Sequence, residues 1–277
     1  MNYLEFNFDI SPFKPWSEIL TAYLSDIDFD GFHHENETLK AFVAEDSFKA
    51  IEFEDIIAGI AKADVTISYT RCKIPQQNWN KQWESNFDPV AVNDELLIIA
   101  PFHQKNDAFN LNIVIQPKMS FGTGHHQTTH LMCEAILKLD LKEHHILDMG
   151  SGTGVLAILA EKKGAKNITA IDIEDWSVES CIENSVLNDC KHVDSLCGGI
   201  ELIDGKKFDV IFANINKNIL KDQMNAYYEA LNKNGFLYLS GFFETDADEL
   251  ISFAKREGFF IRTSHVKEEW AMLVFQK

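Results

Sequence analysis

The run His145-Ile-Leu-Asp148-Met-Gly150-Ser-Gly152-Thr-Gly154-Val155-Leu-Ala-Ile158 constrains this chain more than any other, because it spells strand, turn and helix start in succession. A short apolar segment carries an acid near its end, three glycines follow at alternate positions, and an apolar helix face opens at Val155. Glycine suits such a turn: it takes positive φ without strain and lets backbone approach a ligand with no Cβ in the way. The first free N–H groups of the helix then point into the same space. A doubly wound α/β sheet builds its nucleotide site at this kind of turn. The following segment, Asn167-Ile-Thr-Ala-Ile-Asp172, agrees. It is apolar and ends in a carboxylate near the ~20-residue offset at which such folds meet ribose hydroxyls.

The spacing separates two cofactor classes. A dinucleotide fingerprint reads G-x-G-x-x-G, whereas this chain has Gly150-x-Gly152-x-Gly154 with Asp148 two residues earlier. That form resembles class I methyltransferases, which bind S-adenosylmethionine, and it disfavours an NAD-linked oxidoreductase.

Ahead of this core lies a segment of different character. Leu4, Phe6, Phe8 and Ile10 alternate with polar residues, as in a half-buried strand, and Trp16, Ile19, Leu20, Tyr23 and Leu24 follow at helical spacing. Two short strands over 29–34 and 39–44, a helix over about 54–63, and a third alternation at Val65, Ile67 and Tyr69 complete the order β-α-β-β-α-β. This order predicts a small α+β ferredoxin-like domain over residues 1–75. Up to Pro75 it holds 14 acidic and 6 basic side chains, a net of −8, and nothing that looks catalytic. An acidic, aromatic surface suits a basic protein partner; a purely structural role is the alternative. Residues 76–89 read as a linker helix with Trp79 and Trp83 on one face, and Asp88-Pro89 stops it. The remainder, 90–277, is the catalytic domain.

Charge and cysteines narrow the function further. A formal net charge of −18 repels phosphate backbones, which argues against direct nucleic-acid binding, since such affinity rests on clustered Lys and Arg. Five cysteines form no C-x-x-C pair and leave an odd number, the pattern of free thiols in a reducing cytoplasm. The start has no basic region before an apolar block, and no apolar run is long enough to span a bilayer. His126 and His130 stand four apart, a spacing that can chelate zinc, but no H-E-x-x-H pattern or thiolate pair accompanies them. No metal is expected.

A second motif is more specific. Phe121-Gly-Thr-Gly-His-His126-Gln-Thr128-Thr129, with the glycine turn opening 21 residues after Thr129, resembles the ribosomal protein L-eleven methyltransferase family. Ile171-Asp172-Ile173, Ala213-Asn214-Ile215, Ser240-Gly241 and Glu268-Glu269-Trp270 agree with it. The resemblance covers roughly Trp79 to the C-terminus in motif and the first 75 residues only in plan. It implies a seven-stranded doubly wound class I methyltransferase sheet, closed by an antiparallel pair over 259–266 and 270–275. It also implies methyl transfer from S-adenosylmethionine to lysine or α-amino groups of a large-subunit ribosomal protein. By the family's pattern Thr129, Gly150, Asp172 and Asn214 contact the cofactor, with Asp172 on the ribose and Asn214 beside the reacting nitrogen. Gly152 and Gly154 belong to the turn, and Asp148 orients it. Methylation of another basic protein or of nucleic acid, and a non-catalytic cofactor-binding adaptor, are the competing readings.

Overall fold

In the computed structural model, residues 2–35, 37–61, 65–74, 87–118 and 120–277 are described. The chain divides into two compact units, Met1–Asn86 and Phe87–Lys277.

In the first unit, alternation produces strand β1 (Tyr3–Ser11), which buries Leu4, Phe6, Phe8 and Ile10 on one face. Helix α1 (Phe13–Ser25), strands β2 (Gly31–Glu35) and β3 (Thr38–Ala44), helix α2 (Ala50–Ile60) and strand β4 (Thr66–Ile74) follow. The sheet order is β2-β3-β1-β4, with every pairing antiparallel, which is the ferredoxin-like arrangement the element order predicts. Phe6, Phe29 and Phe53 meet in its core with ring centroids 4.8 to 6.0 Å apart. The linker helix expected over 76–89 falls outside the described residues as far as 86, together with Trp79 and Trp83; Phe87 to Pro89 are irregular backbone.

The second unit opens with a small sheet of β5 (Val90–Val92), β6 (Leu96–Ile99) and β7 (Leu111–Val114). Its three-residue first strand leaves too short a pattern to read in sequence. Then come α3 (Gln127–Leu137), β8 (His145–Met149), α4 (Val155–Lys162), β9 (Asn167–Asp172), α5 (Asp175–Leu187), β10 (Val193–Cys197) and β11 (Phe208–Asn214). The chain ends with α6 (Lys217–Ala230), β12 (Leu231–Phe243), α7 (Ala247–Glu257), β13 (Phe260–Lys267) and β14 (Trp270–Gln276).

Strands β8 to β14 form one sheet in the order β10-β9-β8-β11-β12-β14-β13. The first five are parallel and β14 runs antiparallel to both neighbours. Helices cover both faces, so the strands read as near-continuous apolar runs. The period of two still sorts them: Ile146, Val210, Phe212, Met272 and Val274 pack with α3 and α4, while Leu147, Ile211, Ala213, Leu273 and Phe275 pack with α6 and α7. After β10 the chain returns to the opposite side of β8 to form β11. This reversal opens a crevice beyond the carboxyl ends of β8 and β11, where ligands bind in open α/β sheets.

Candidate functional site

The glycine turn after β8 has the strained geometry that its residues permit. Gly150, Gly152 and Gly154 take φ values of 74°, 52° and 79°. Space is as restrictive as torsion: a Cβ would fall on Ile215 at Gly150, on the Phe121 carbonyl oxygen at Gly152, and on the Cys181 sulfur at Gly154. The Gly150 and Ser151 N–H groups both donate to the Ile171 carbonyl, at 2.8 and 3.0 Å. The Gly152 N–H donates to Asp172 Oδ2 at 2.9 Å. Asp172 Oδ1 accepts the Glu174 N–H at 3.1 Å, so the carboxylate is held rigidly between the turn and the start of α5.

Asp148 lies beneath this turn. It is buried, and its Oδ2 accepts the Ala157 N–H at 3.1 Å, pinning the first turn of α4 to β8. Its other oxygen has no hydrogen-bond partner among the described residues. Burial pushes the carboxyl up to about 7, against the pull of the Ala157 N–H and aided by the charge of Asp172.

A second loop leans on the first. Thr153 donates its N–H to the Phe121 carbonyl (2.9 Å) and its hydroxyl to the Gly122 carbonyl (2.7 Å). Helix α3 then begins under a histidine cap. His126 Nδ1 accepts the Thr128 N–H at 3.3 Å and lies 2.8 Å from the Thr128 hydroxyl. The imidazole touches Phe121 on one side and Trp270 on the other, with ring centroids 5.1 and 4.5 Å away. Burial lowers its pKa. His130 lies 3.8 Å from Glu134, and no cluster of three or more metal-ligating side chains occurs among the described residues.

The first turn of α3 also serves the site. Thr129 is buried, and its hydroxyl receives a 3.5 Å hydrogen bond from Asn214 Nδ2. Asn214, the last residue of β11, leaves its Oδ1 buried with no partner among the described residues.

These elements surround a cleft of about 300 Å³. Of the sequence-predicted residues, Gly150, Gly152, Asp172 and Asn214 line it. Thr129 stands behind Asn214, and Gly154 turns away toward Cys181. Beyond the expected site residues, Phe121, Ile173 and Ile219, which are 51%, 67% and 41% exposed, give the cleft an apolar rim. The signal for this rim in the sequence is Ile173 itself, an apolar residue directly after a strand-ending acid.

Such a cleft can seat a ligand with a flat apolar portion, hydroxyls for the Asp172 carboxylate and a donor for Asn214 Oδ1. Comparison with known proteins identifies the family. A family model described as Ribosomal protein L11 methyltransferase (PrmA) matches residues 22–277. A Porphyromonas gingivalis protein named ribosomal protein L11 methyltransferase is 40% identical over 260 residues, covering 93% of this chain and 90% of its own length. A Bacteroides fragilis protein of the same name is 36% identical over 278 residues, with 99% of each chain covered. Among solved structures, a ribosomal protein L11 methylase from Lactobacillus delbrueckii subsp. bulgaricus superposes with a TM-score of 0.63 at 28% identity, over 68% of this chain and 98% of that one. The glycine turn, the cleft it borders and the extent of these matches lead to one assignment: the chain belongs to the ribosomal protein L11 methyltransferase family.

Proposed function

We propose that the chain methylates amino groups of a large-subunit ribosomal protein, on lysine side chains or an α-amine, with Asn214 placing the nitrogen. Membership of the family makes it an S-adenosylmethionine-dependent protein methyltransferase. The observation that carries the residue roles is the buried Oδ1 of Asn214, without a partner among the described residues, at the edge of a cleft that also holds Asp172. A polar atom left unsatisfied by the protein is costly unless a ligand completes it.

The residues suit the cofactor. Asp172 accepts two backbone N–H groups, and a carboxylate retains further lone pairs for the ribose hydroxyls. The glycine turn lets the ligand approach backbone at Gly150 and Gly152, and Phe121 and Ile173 offer apolar faces to an adenine ring. Thr129 fixes the rotamer of Asn214 through the shared hydrogen bond, and Gly154 shapes the turn from behind. Bound S-adenosylmethionine supplies a methyl group already activated by its sulfonium leaving group.

The chain's own task is therefore alignment of a neutral amine. A lysine of pKa ~10.4 is neutral in only about one molecule in several thousand at pH 7, and leaving water for the cleft lowers that pKa. Among the described residues, the titratable side chains lining the cleft are Asp172, the last residue of β9, and Glu174, two residues beyond it. Neither adjoins Asn214 in the sheet, because β8 lies between β9 and β11. Positioning rather than proton abstraction by a side chain then supplies the acceleration. Asn214 Oδ1 accepts an N–H of the amine and aims its lone pair.

The acidic first unit recruits the client in this reading, by attraction for a basic ribosomal protein. The free cysteines and the acidic surface suit action on proteins in the cytoplasm without direct binding of nucleic acid. Among the described residues no helix is long and apolar enough to cross a membrane.

The test is incubation of the protein with labelled S-adenosylmethionine and ribosomal subunits, followed by mass mapping. Label should appear on amines of a large-subunit protein. Label in RNA, or in no ribosomal protein, would refute the assignment of substrate. Asn214→Ala should lower turnover about a hundredfold, the scale of one preorganised polar contact at a reacting centre. Unchanged turnover and cofactor affinity would remove Asn214 from its role.

A further inference from the structure

Asn184 of helix α5 and Asn188, which caps its C-terminus one turn on, bond to β7 and the residues just after it as a neighbouring strand would. Asn188 Oδ1 accepts the Val114 N–H at 2.8 Å and its Nδ2 donates to the Val114 carbonyl at 2.6 Å. Asn184 Oδ1 accepts the Gln116 N–H at 2.8 Å. Both side chains are buried, Asn184 completely and Asn188 to within 5%.

The two differ in what their amide N–H groups reach. Asn188 Nδ2 turns back to the Asn184 carbonyl (2.7 Å) within α5. Asn184 Nδ2 donates to the Thr153 carbonyl at 2.9 Å, with a longer contact of 3.4 Å to Ser180 Oγ. Thr153 is itself fully buried and sits between Gly152 and Gly154. Its N–H and hydroxyl are committed to the carbonyls of Phe121 and Gly122. With Asn184 in place, each of its polar groups has a partner.

One amide thus joins two separate segments of the chain. It ties Gln116, where the chain leaves the small sheet, to the middle of the glycine turn. Through Thr153 it also sets where Phe121 stands on the cleft rim. Asn184 itself does not line the cleft.

We infer that Asn184 is a positioning residue for the cofactor: it holds the glycine turn and the Phe121 rim in their bound arrangement before any ligand arrives. This rests on the reading of the cleft as the S-adenosylmethionine site. Without the amide, the Thr153 carbonyl is buried without a donor and the turn relaxes to find one. Binding must then restore the arrangement, which costs affinity. The chemistry is spared, because Asn214 stands on β11 and makes its contact to α3 rather than to α5.

The test measures S-adenosylmethionine affinity by calorimetry and turnover at saturating cofactor for Asn184→Ala, Asn184→Asp and Asn188→Ala. Asn184→Asp keeps the volume and the acceptor for Gln116 and, in its ionised form, offers no donor to Thr153 or Ser180. Both Asn184 variants should raise Kd about tenfold while kcat stays within about threefold, since what is lost is preorganisation worth a hydrogen bond or two. Asn188→Ala loses the paired bonds to Val114 and should lower the melting temperature at least as much, yet leave Kd within about twofold. This split separates positioning from plain stability. A folded Asn184 variant with wild-type Kd would overturn the inference, as would an Asn188→Ala protein whose Kd rises equally. If Asn184→Ala does not fold, Asn184→Asp decides by the same criterion. Absence of any binding by the wild type would instead overturn the reading of the cleft, and the inference with it.

Discussion

Replacing Asp148 by asparagine removes a buried charge at the foot of the glycine turn, and the structure sets both the sign and the size of the effect. The side chain is 1% exposed, with one oxygen on the Ala157 N–H and the other without a partner among the described residues. Its carboxyl stands at about 7 in the folded chain, against about 3.9 when unfolded. Between these values the folded chain keeps a proton that the unfolded chain has released. Stability therefore falls as pH rises, by up to about 1.4 kcal/mol per pH unit. The penalty is absent below the unfolded value and complete above the folded one, amounting to roughly 4 kcal/mol across the window.

Asparagine retains the acceptor for Ala157 and never ionises. The stability of Asp148→Asn relative to the wild type should therefore climb with pH, by up to about 4 kcal/mol between pH 4 and pH 8. For a unit of this size that amounts to about 8 to 16 °C in Tm. Calorimetric melting of both proteins across this range, following the transition of the larger unit, makes the comparison. Curves that run parallel from pH 4 to pH 8 would show that Asp148 ionises freely in the fold, and would refute the argument.

Gly152→Ala places a methyl group on the Phe121 carbonyl oxygen at a φ of 52°. The left-handed backbone alone costs about 1–2 kcal/mol, so the loop must also shift, and S-adenosylmethionine affinity measured by calorimetry should fall more than about tenfold. Cofactor affinity equal to the wild type would mean that the two loops are free to part. His126 caps α3 only while its Nδ1 is unprotonated, and burial lowers its pKa. The unfolded chain takes up the proton first, so this contribution is complete above about pH 6.5 and is lost as pH falls below it. His126→Asn offers a cap that does not titrate, and its Tm relative to the wild type should rise between pH 7.5 and pH 5; a falling difference would contradict the neutral cap.

What was legible in the sequence follows from how far each residue reaches for its partner. The glycine turn could be read because torsion is a local property: Gly150, Gly152 and Gly154 occupy positions where L side chains are strained. The strands of the large sheet could be read because both faces are covered, leaving apolar runs such as 210–213. The acid at the end of one strand and the amide at the end of another, Asp172 and Asn214, stand out against those runs. The start of β12 was harder. Leu231 to Gly235 reads as a helix end and an Asn-Gly turn, but Leu231 pairs with Phe208 across the sheet, so the strand begins early and Asn234 keeps a φ of 66° inside it.

The supports of the site were hidden for the opposite reason. Asn184 and Asn188, spaced four apart among polar neighbours, look like the solvated face of an amphipathic helix. Their burial arises because, among the described residues, no strand covers one edge of β7, and the N–H groups of Val114 and Gln116 need acceptors from elsewhere; the partners are 68 and 74 residues away in the chain. Thr153 looks like a variable position between two glycines, although it holds two segments together. A cradle of this kind is written locally, in residues that relax the backbone, whereas its rigidity comes from distant side chains that complete the hydrogen bonds the relaxed backbone leaves open. Substitutions at those distant positions should therefore alter ligand affinity while the motif itself remains intact.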